Sequence, residues 1–545
     1  MSNYIENETV KNLIADLEKR VEEHILEPNN LEFLKKLLSK AESEDEAISI
    51  CKLGTTFYKT GLIFDKKLEV PSDGIYIFNK NEKLSFDGNG TKNKLIIGDN
   101  YDALLNLLVE YRGKIDVIYI DPPYGANNLG EFAHTNYENQ INRDNLLSML
   151  QSRLMIALQL LSDTGVIFCS IDDKNCAYIK CLFDEVFGER NYLATFDWMK
   201  TATPPSLSPN VRKKFEYVLC YKKYQMDGGL SGGVVSGGDM PLLNDGNRVI
   251  SVVVPKENII CKIPDGVYPA GQYDRVELEE SFAVREGMPV DDLHIKGPMK
   301  WTQETILKEA SEETAFYIKS TKFAIRYARS GDRIKTPSNI ISKDECGVGT
   351  NEEATKELDS IFGKKMFDFP KPSSLIEYLV NMQTYDKKDA VVLDFFAGSG
   401  TTGQAVMNLN KKDGGNRSFI LVQLPETLAT DTKSDTVKNQ IELLDSYGLP
   451  HNLAYITADR LRRVIKGEGY DGRNDYDWIK KNKKFDGSLD VLEMSEYSIY
   501  DHSIFDKIDE TLYGHEKFNN IKDKIEWVCT NFEKVARKLK DASRN

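Results

Sequence analysis

The chain lacks most of the features that mark a metalloprotein, a secreted protein or a membrane protein. Its eight cysteines, at 51, 169, 176, 181, 220, 261, 346 and 529, form no Cys-x-x-Cys pair, and only six histidines accompany them. That excludes the usual zinc-binding spacings, so no metal is expected, and the thiols read as buried or bystander groups in a reducing compartment. Cys169, inside the apolar run VIFCS, is expected in a core. No uninterrupted apolar stretch approaches the ~20 residues that span a bilayer. The N-terminus, MSNYIENETVKNL, has neither the basic nor the apolar region of a signal peptide, so a cytoplasmic protein away from membranes is expected. No Walker phosphate loop occurs, which excludes a nucleotide-driven motor in this sequence.

An excess of basic charge is missing too. The net charge of −14 argues against an extended phosphate-binding surface. Distribution matters more than the sum, however. The first fifty residues are acid-rich, whereas the stretch 319–343 carries Lys319, Lys322, Arg326, Arg329, Arg333, Lys335 and Lys343 against Asp332 alone. A solvated face and a local phosphate-gripping stripe both account for such a run.

At 545 residues the chain exceeds one compact core and should divide into three or four units. Residues 8–50 read as helices, with Val10, Leu13, Ile14, Leu17 and Val21 at helical spacing. From Lys94 the pattern becomes strand (KLIIGDN), helix (ALLNLLVEY), strand (KIDVIYIDPPYG), a βαβ unit whose polar turns fall at strand C-termini. Ligands bind at such ends in open parallel sheets. A helix (LLSMLQSRLMIALQLL), a strand (VIFCSIDD), an amphipathic helix (KNCAYIKCLFDEVFG) and a strand (FEYVLCYKK) follow. Residues 225–249 are rich in Gly, Ser and Asp and read as a loop or linker, and 250–345 as a mixed insert forming a separate lobe. The α/β rhythm returns at KPSSLIEYLVNMQTY, AVVLDFFAGSGTTGQAVMNL and RSFILVQLPE. The last hundred residues read as charged, partly helical and without a motif.

Two turns carry chemistry. In AVVLDFFAGSGTTGQAV a buried strand ends in an acid, a glycine turn and a helix start. Gly398 and Gly400 let the backbone turn sharply and approach a ligand without Cβ obstruction, and the helix start presents unpaired N–H groups. The reading rests on these two glycines and sets the turn apart from the dinucleotide-binding spacing. On the next strand, ILVQLPE, Glu426 stands where a carboxylate can hold a ribose, and Asp99, at the tip of KLIIGD, could accept from an adenine amine. Either acid alone reads first as an exposed solubilising carboxylate, and with the glycine turn the two outline a nucleoside pocket. The second turn is Asp121-Pro122-Pro123-Tyr124. Two prolines directly after a strand stop it and fix an extended turn. The Asp121 carboxylate and the Pro122 carbonyl, each accepting one N–H, would aim an amine lone pair, and Tyr124 offers a flat face for an extruded base.

Asp-Pro-Pro-Tyr followed by Phe-x-Gly-x-Gly resembles the amino-methyltransferases of DNA. The order of the motifs, with a large insert between them, is similar to the β class, a circular permutation of the methyltransferase fold. Within it the chain resembles the methylation subunit of type III restriction–modification systems, through TGLIFDKKLE, LIIGDN, DPPYG, TGVIFCSIDD, FDEVFGERNYLATFDWMK, GPMKWTQET, FDFPKPSSLIEYLV and LDFFAGSGTTGQAVMNLNKKDGGNRSFILVQLPE. The resemblance covers about residues 55–465. It implies an α/β, Rossmann-like, S-adenosylmethionine-dependent fold with an inserted target-recognition domain and helical terminal extensions. The implied divisions are 1–70, 71–224, 225–360, 361–465 and 466–545.

By the same resemblance Asp121, Pro122, Pro123 and Tyr124 hold the target base. Asp394, Phe395, Phe396, Ala397, Gly398, Ser399, Gly400 and Thr401 surround the methionine part of the cofactor. Lys371 lies near it, Glu426 takes the ribose and Asp99 the adenine. The lobe would read double-stranded DNA, with Lys319, Lys322, Arg326, Arg329 and Arg333 on phosphates. The implied reaction is methyl transfer to adenine N6. Cytosine N4 is the alternative target, and a mainly DNA-recognising subunit for a nuclease is the alternative role. Carbon-5 cytosine chemistry would use a Pro-Cys turn, which the chain lacks. A homodimer and a helicase–nuclease restriction partner on another chain are the implied assemblies.

Overall fold

A computed structural model describes residues 8–22, 26, 28–55, 74–123, 142–204, 210–226, 228–236, 238–329, 332–430 and 433–498. The chain forms two compact units, one made of residues 1–229 with 338–545 and one of residues 230–337.

The first unit begins with three helices, α1 (Glu8–Glu22), α2 (Pro28–Leu38) and α3 (Glu44–Thr55). Their apolar stripes close on one another through Val10, Leu17, Leu31, Leu34, Leu38, Ala47 and Cys51. This is the expected outcome of helical spacing at the N-terminus. Then come β1 (Gly74–Lys80), β2 (Thr91–Ile97), α4 (Asn100–Tyr111), β3 (Ile115–Ile120), α5 (Asn142–Leu160), β4 (Leu161–Ile171), α6 (Cys176–Phe187), β5 (Tyr192–Met199) and β6 (Phe215–Lys222). After the second unit the chain continues as β7 (Ile340–Ile341), α7 (Asn351–Phe362), α8 (Ser373–Thr384), β8 (Val391–Asp394), α9 (Thr401–Asp413), β9 (Ser418–Gln423), α10 (Asp435–Tyr447), α11 (Leu453–Ile465) and β10 (Gly487–Ser498).

These strands build one ten-stranded sheet in the order β1-β10-β2-β9-β8-β3-β4-β6-β5-β7. From β10 to β4 every neighbouring pair is parallel, whereas β6 runs antiparallel to both β4 and β5. A parallel strand covered on both faces reads as a near-continuous apolar run. β3 (IDVIYI) is buried at every position, which is why its sequence shows no alternation. Each fully buried Ile or Val there contributes about 1.5–3 kcal/mol. The core runs from β3 and β4 into α4, α5 and α6, and includes Cys169 as expected. The mixed α/β sheet is the expected fold class.

Placement differs from expectation in two respects. β10 lies inside the main sheet between β1 and β2, so residues 487–498 are not part of a separate C-terminal domain. The lobe is also narrower than 225–360: it spans 230–337, and α7 belongs with the sheet unit.

Among its described residues the 230–337 unit is made of short strands in small sheets with one α-helix, Gln303–Ser311. Val234–Ser236 and Met240–Pro241, read as linker, are strands that pair with Asp332–Ile334 and Arg326–Ala328. Its core centres on Phe323, ringed by Tyr268, Tyr273 and Phe282 at centroid distances of 5.0–5.9 Å. No described helix is long and apolar enough to cross a membrane.

Candidate active site

β3 and β8 are neighbours, paired in parallel as Val392↔Val117 and Leu393↔Ile118. From β3 the chain passes to β4 on one side; from β8 it passes to β9 on the other. Strand order reverses between them, and a crevice opens at such a switch point. Both acidic turns leave the sheet here: Asp121 follows the last residue of β3, and Asp394 is the last residue of β8. A cavity of about 170 Å³ lies between them. It is lined by Tyr119, Asp121, Lys371, Asp394, Phe396, residues 397–399 and 401–402 of the turn, and Phe367 through Pro370.

The glycine turn is built around Asp394. Its Oδ1 accepts from the Phe396 N–H at 2.9 Å and its Oδ2 from the Thr402 hydroxyl. Complete burial pushes the carboxyl up to about 7, the two hydrogen bonds oppose this, and nearby Asp121 adds to it. Gly398 and Gly400 have φ of 50° and 79°, the left-handed region that side chains avoid. The Gly398 carbonyl accepts from the Thr457 hydroxyl at 2.6 Å. The same turn carries a third glycine that the sequence reading passed over. Gly398, Gly400 and Gly403 have the G-x-G-x-x-G spacing after all, and a Cβ at Gly403 would stand 2.6 Å from Leu461 and 3.2 Å from the Phe419 ring. Gly403 thus lets α9 pack tightly onto α11 and β9.

Arg460, on α11, was not foreseen. It is 1% exposed and gives Nη1 to the Ser399 carbonyl (3.1 Å), the Ser399 hydroxyl (2.8 Å) and the Thr401 hydroxyl (2.8 Å). Its Nε and Nη2 both reach Gln404 Oε1. Burial lowers the guanidinium to about 10, so it stays charged at neutral pH and clamps the turn from behind. Only its burial reveals it, and a basic helix in sequence gives no such signal.

Across the cavity, Lys371 reaches both oxygens of Asp121, at 3.0 and 2.9 Å. Burial would lower the Lys371 ammonium, but the carboxylates of Asp121 and Glu216 outweigh it and hold it above the usual range. With Lys371, Asp121 and Asp394 all on its wall, the cavity suits a ligand end that itself carries both a carboxylate and a cation. Pro122 is buried and Pro123 half-buried. Tyr124 lies outside the described residues.

The structure does not bring every predicted residue to this cavity. Phe395 is fully buried in the core, and its carbonyl accepts from Asn100 at 2.7 Å. Gly400 shapes the turn without lining the cavity. Asp99 caps α4 by accepting from the Tyr101 N–H at 2.7 Å and is bound by buried Arg153 at 3.0 Å. It is therefore already engaged as a cap and ion-pair partner. Glu426 follows the end of β9 and is half-exposed; its carbonyl accepts from the Leu453 N–H at 3.0 Å. Phe369 was also missed: it borders the cavity 83% exposed, with a strained φ of 51°.

The basic stretch is largely neutralised within its own unit. Lys319 and Arg326 both bind Asp239, the latter at 2.7 Å, and Arg329 binds Glu309 while stacking 4.8 Å from the Trp301 ring. Lys322 is exposed. Arg333 lies on the strand Asp332–Ile334, and its side chain lies outside the described residues. Three of the five basic side chains thus serve packing first, because acids at 239 and 309 meet them in the fold.

A family model described as DNA methylase matches residues 115–434, and one described as an uncharacterised conserved protein matches residues 10–117. The chain is 31% identical over 370 residues to the type II methyltransferase M.KpnI of Klebsiella pneumoniae, covering 64% of this chain and 84% of that protein. It is 29% identical to the StyLTI Mod subunit, a type III restriction–modification enzyme of Salmonella typhimurium, covering 64% of this chain but only 54% of that subunit. To the EcoP15I Mod subunit of Escherichia coli it is 25% identical, covering 86% of this chain and 76% of that protein. Among solved structures it is similar to the PvuII DNA methyltransferase, described as cytosine-N4-specific, at 13% identity and a TM-score of 0.33, covering 71% and 98% of the two chains.

Proposed function

We propose, on the premise that this chain belongs to the DNA methylase family, that it methylates adenine N6 in double-stranded DNA with S-adenosylmethionine. The observation that carries the reading is the single cavity shared by Asp121, at the tip of β3, and the Asp394–Thr402 turn at the tip of β8.

The residues fit the methionine end of S-adenosylmethionine. Asp394 supplies a buried carboxylate toward a cation, and the turn at Gly398 leaves open space where a Cβ would meet only the Phe396 carbonyl at 3.9 Å. When bound, S-adenosylmethionine supplies a methyl group made electrophilic by its sulfonium. Everything else falls to the protein. Asp121 accepts one N–H of the target amine and the Pro122 carbonyl a second, which turns the lone pair toward the cavity. Asp121 is also the nearest group to receive the proton that the amine sheds once methylated. The chemistry needs placement and stabilisation of developing positive charge. The target amine is paired inside a duplex, so the base must leave the stack, and Tyr124 is the residue for it to lie on.

The 230–337 unit is the part that selects the site, with Lys322 and Arg333 toward phosphates. The protein acts in the cytoplasm as a dimer, as the modification and recognition subunit of a type III system, with restriction activity on a partner chain. The test is incubation with duplex DNA and labelled S-adenosylmethionine, followed by digestion to nucleosides. N6-methyladenine supports the reading; N4-methylcytosine moves the target to cytosine, and unlabelled DNA removes the activity.

A further inference from the structure

Beside the Asp121–Lys371 pair stands a carboxylate that the reaction outlined above does not use. Glu216, on β6, lies opposite Trp198 of β5 and is 8% exposed. Its Oε1 accepts from Lys200 Nζ at 2.9 Å. Its Oε2 is buried and has no hydrogen-bond partner among the described residues, yet it points at Lys371 Nζ from 3.5 Å. A buried carboxylate oxygen that meets a long ion pair but no hydrogen bond is costly, so such an atom calls for a role. The distance is roughly half an ångström beyond a charge-assisted bond.

Lys371 meanwhile occupies both oxygens of Asp121. An amine N–H arriving at Asp121 competes with an ammonium already seated there. An ammonium has three donors and sits on a flexible stem, so a small swing gives one of them to Glu216 without breaking the ion pair. The Trp198 ring, 5.8 Å from Nζ, flanks the lysine.

We propose that Glu216 is a positioning residue for methyl transfer: it draws Lys371 off one Asp121 oxygen when the target amine arrives. This rests on Asp121 being the amine acceptor. Glu216 touches neither DNA nor cofactor in this account; it sets how much of Asp121 is available. Its negative charge is what counts, because a neutral side chain of the same shape cannot pull an ammonium from a carboxylate.

The test uses the full chain, tritiated S-adenosylmethionine and unmethylated genomic DNA, with variants Glu216→Gln, Glu216→Asp and Asp121→Ala. Rates are normalised to cofactor-binding stoichiometry, so misfolded protein does not count. Glu216→Gln should lower kcat about tenfold, with KM for both substrates, cofactor Kd and thermal midpoint near wild type. Glu216→Asp, shorter but charged, should retain more kcat than Gln. A merely structural role predicts the reverse order, since Gln matches the shape. Wild-type kcat in Glu216→Gln, Asp performing worse than Gln, or a loss confined to cofactor affinity overturns the proposal. If Asp121→Ala is inactive while Glu216→Gln is unimpaired, only the role of Glu216 fails; if Asp121→Ala remains active, the reading of Asp121 fails with it.

Discussion

Replacing Asp394 with Asn should stabilise the protein while weakening its hold on the cofactor. The carboxyl is raised from 3.8 to about 7 by burial. The native state therefore holds a proton between those pH values that the unfolded chain has lost. Stability must fall as pH rises through that window and reach its full penalty above pH 7. Roughly three units at about 1.4 kcal/mol each make about 4 kcal/mol at pH 8, and about a third of that at pH 5. Asn keeps the acceptor for the Phe396 N–H, and the Thr402 hydroxyl can turn to accept from its amide. The expected result is a thermal midpoint several degrees above wild type at pH 8, with the gap shrinking toward pH 5. Calorimetric titration of S-adenosylmethionine at pH 8 should show at least tenfold weaker binding, the scale of one charge-assisted hydrogen bond. A variant less stable than wild type at pH 8, or a gap independent of pH, refutes the reasoning.

Gly403→Val forces atoms into the space against Leu461 and Phe419 and should cost about 1–3 kcal/mol in chemical denaturation, with α9 displaced enough to weaken cofactor binding. Arg460→Met leaves the Ser399 carbonyl and Gln404 Oε1 without their buried donor; a loss of about 2–4 kcal/mol is expected, and unchanged melting would contradict the clamp. In the smaller unit, Lys322→Ala should weaken DNA binding for all sequences and reduce the salt slope by about one. Arg326→Ala, which breaks the contact with Asp239, should instead lower the melting temperature of that unit.

The two turns were legible because each is contiguous in sequence. Asp121-Pro122-Pro123 and Asp394–Thr401 appear in sequence as strand tips, and the sheet puts them side by side. Parallel strands such as β3 declare themselves through continuous burial, and so does Cys169 in β4. What the sequence did not disclose depends on partners far along the chain. β10 reads as charged because acids alternate with Leu489 and Val491; those two are buried by strands some four hundred residues earlier. The basic stretch reads as a stripe only until Asp239 and Glu309 are seen against it. Glu216, Arg460 and Arg153 look like ordinary surface charges until their burial is known. Asp99 was assigned to a ligand on its strand-tip position; the partners the fold gives it, the Tyr101 N–H and Arg153, could not be read from that position.

The central claim is that Asp121 directs methyl transfer to adenine N6. The most direct measurement is quantitative nucleoside analysis of duplex DNA treated with the full chain and S-adenosylmethionine, wild type beside Asp121→Ala. The account predicts N6-methyladenine with the wild type and none with the variant, whose cofactor binding stays within a few-fold of normal. Methylated adenine formed equally well by Asp121→Ala, or wild-type product found only as N4-methylcytosine, would contradict it.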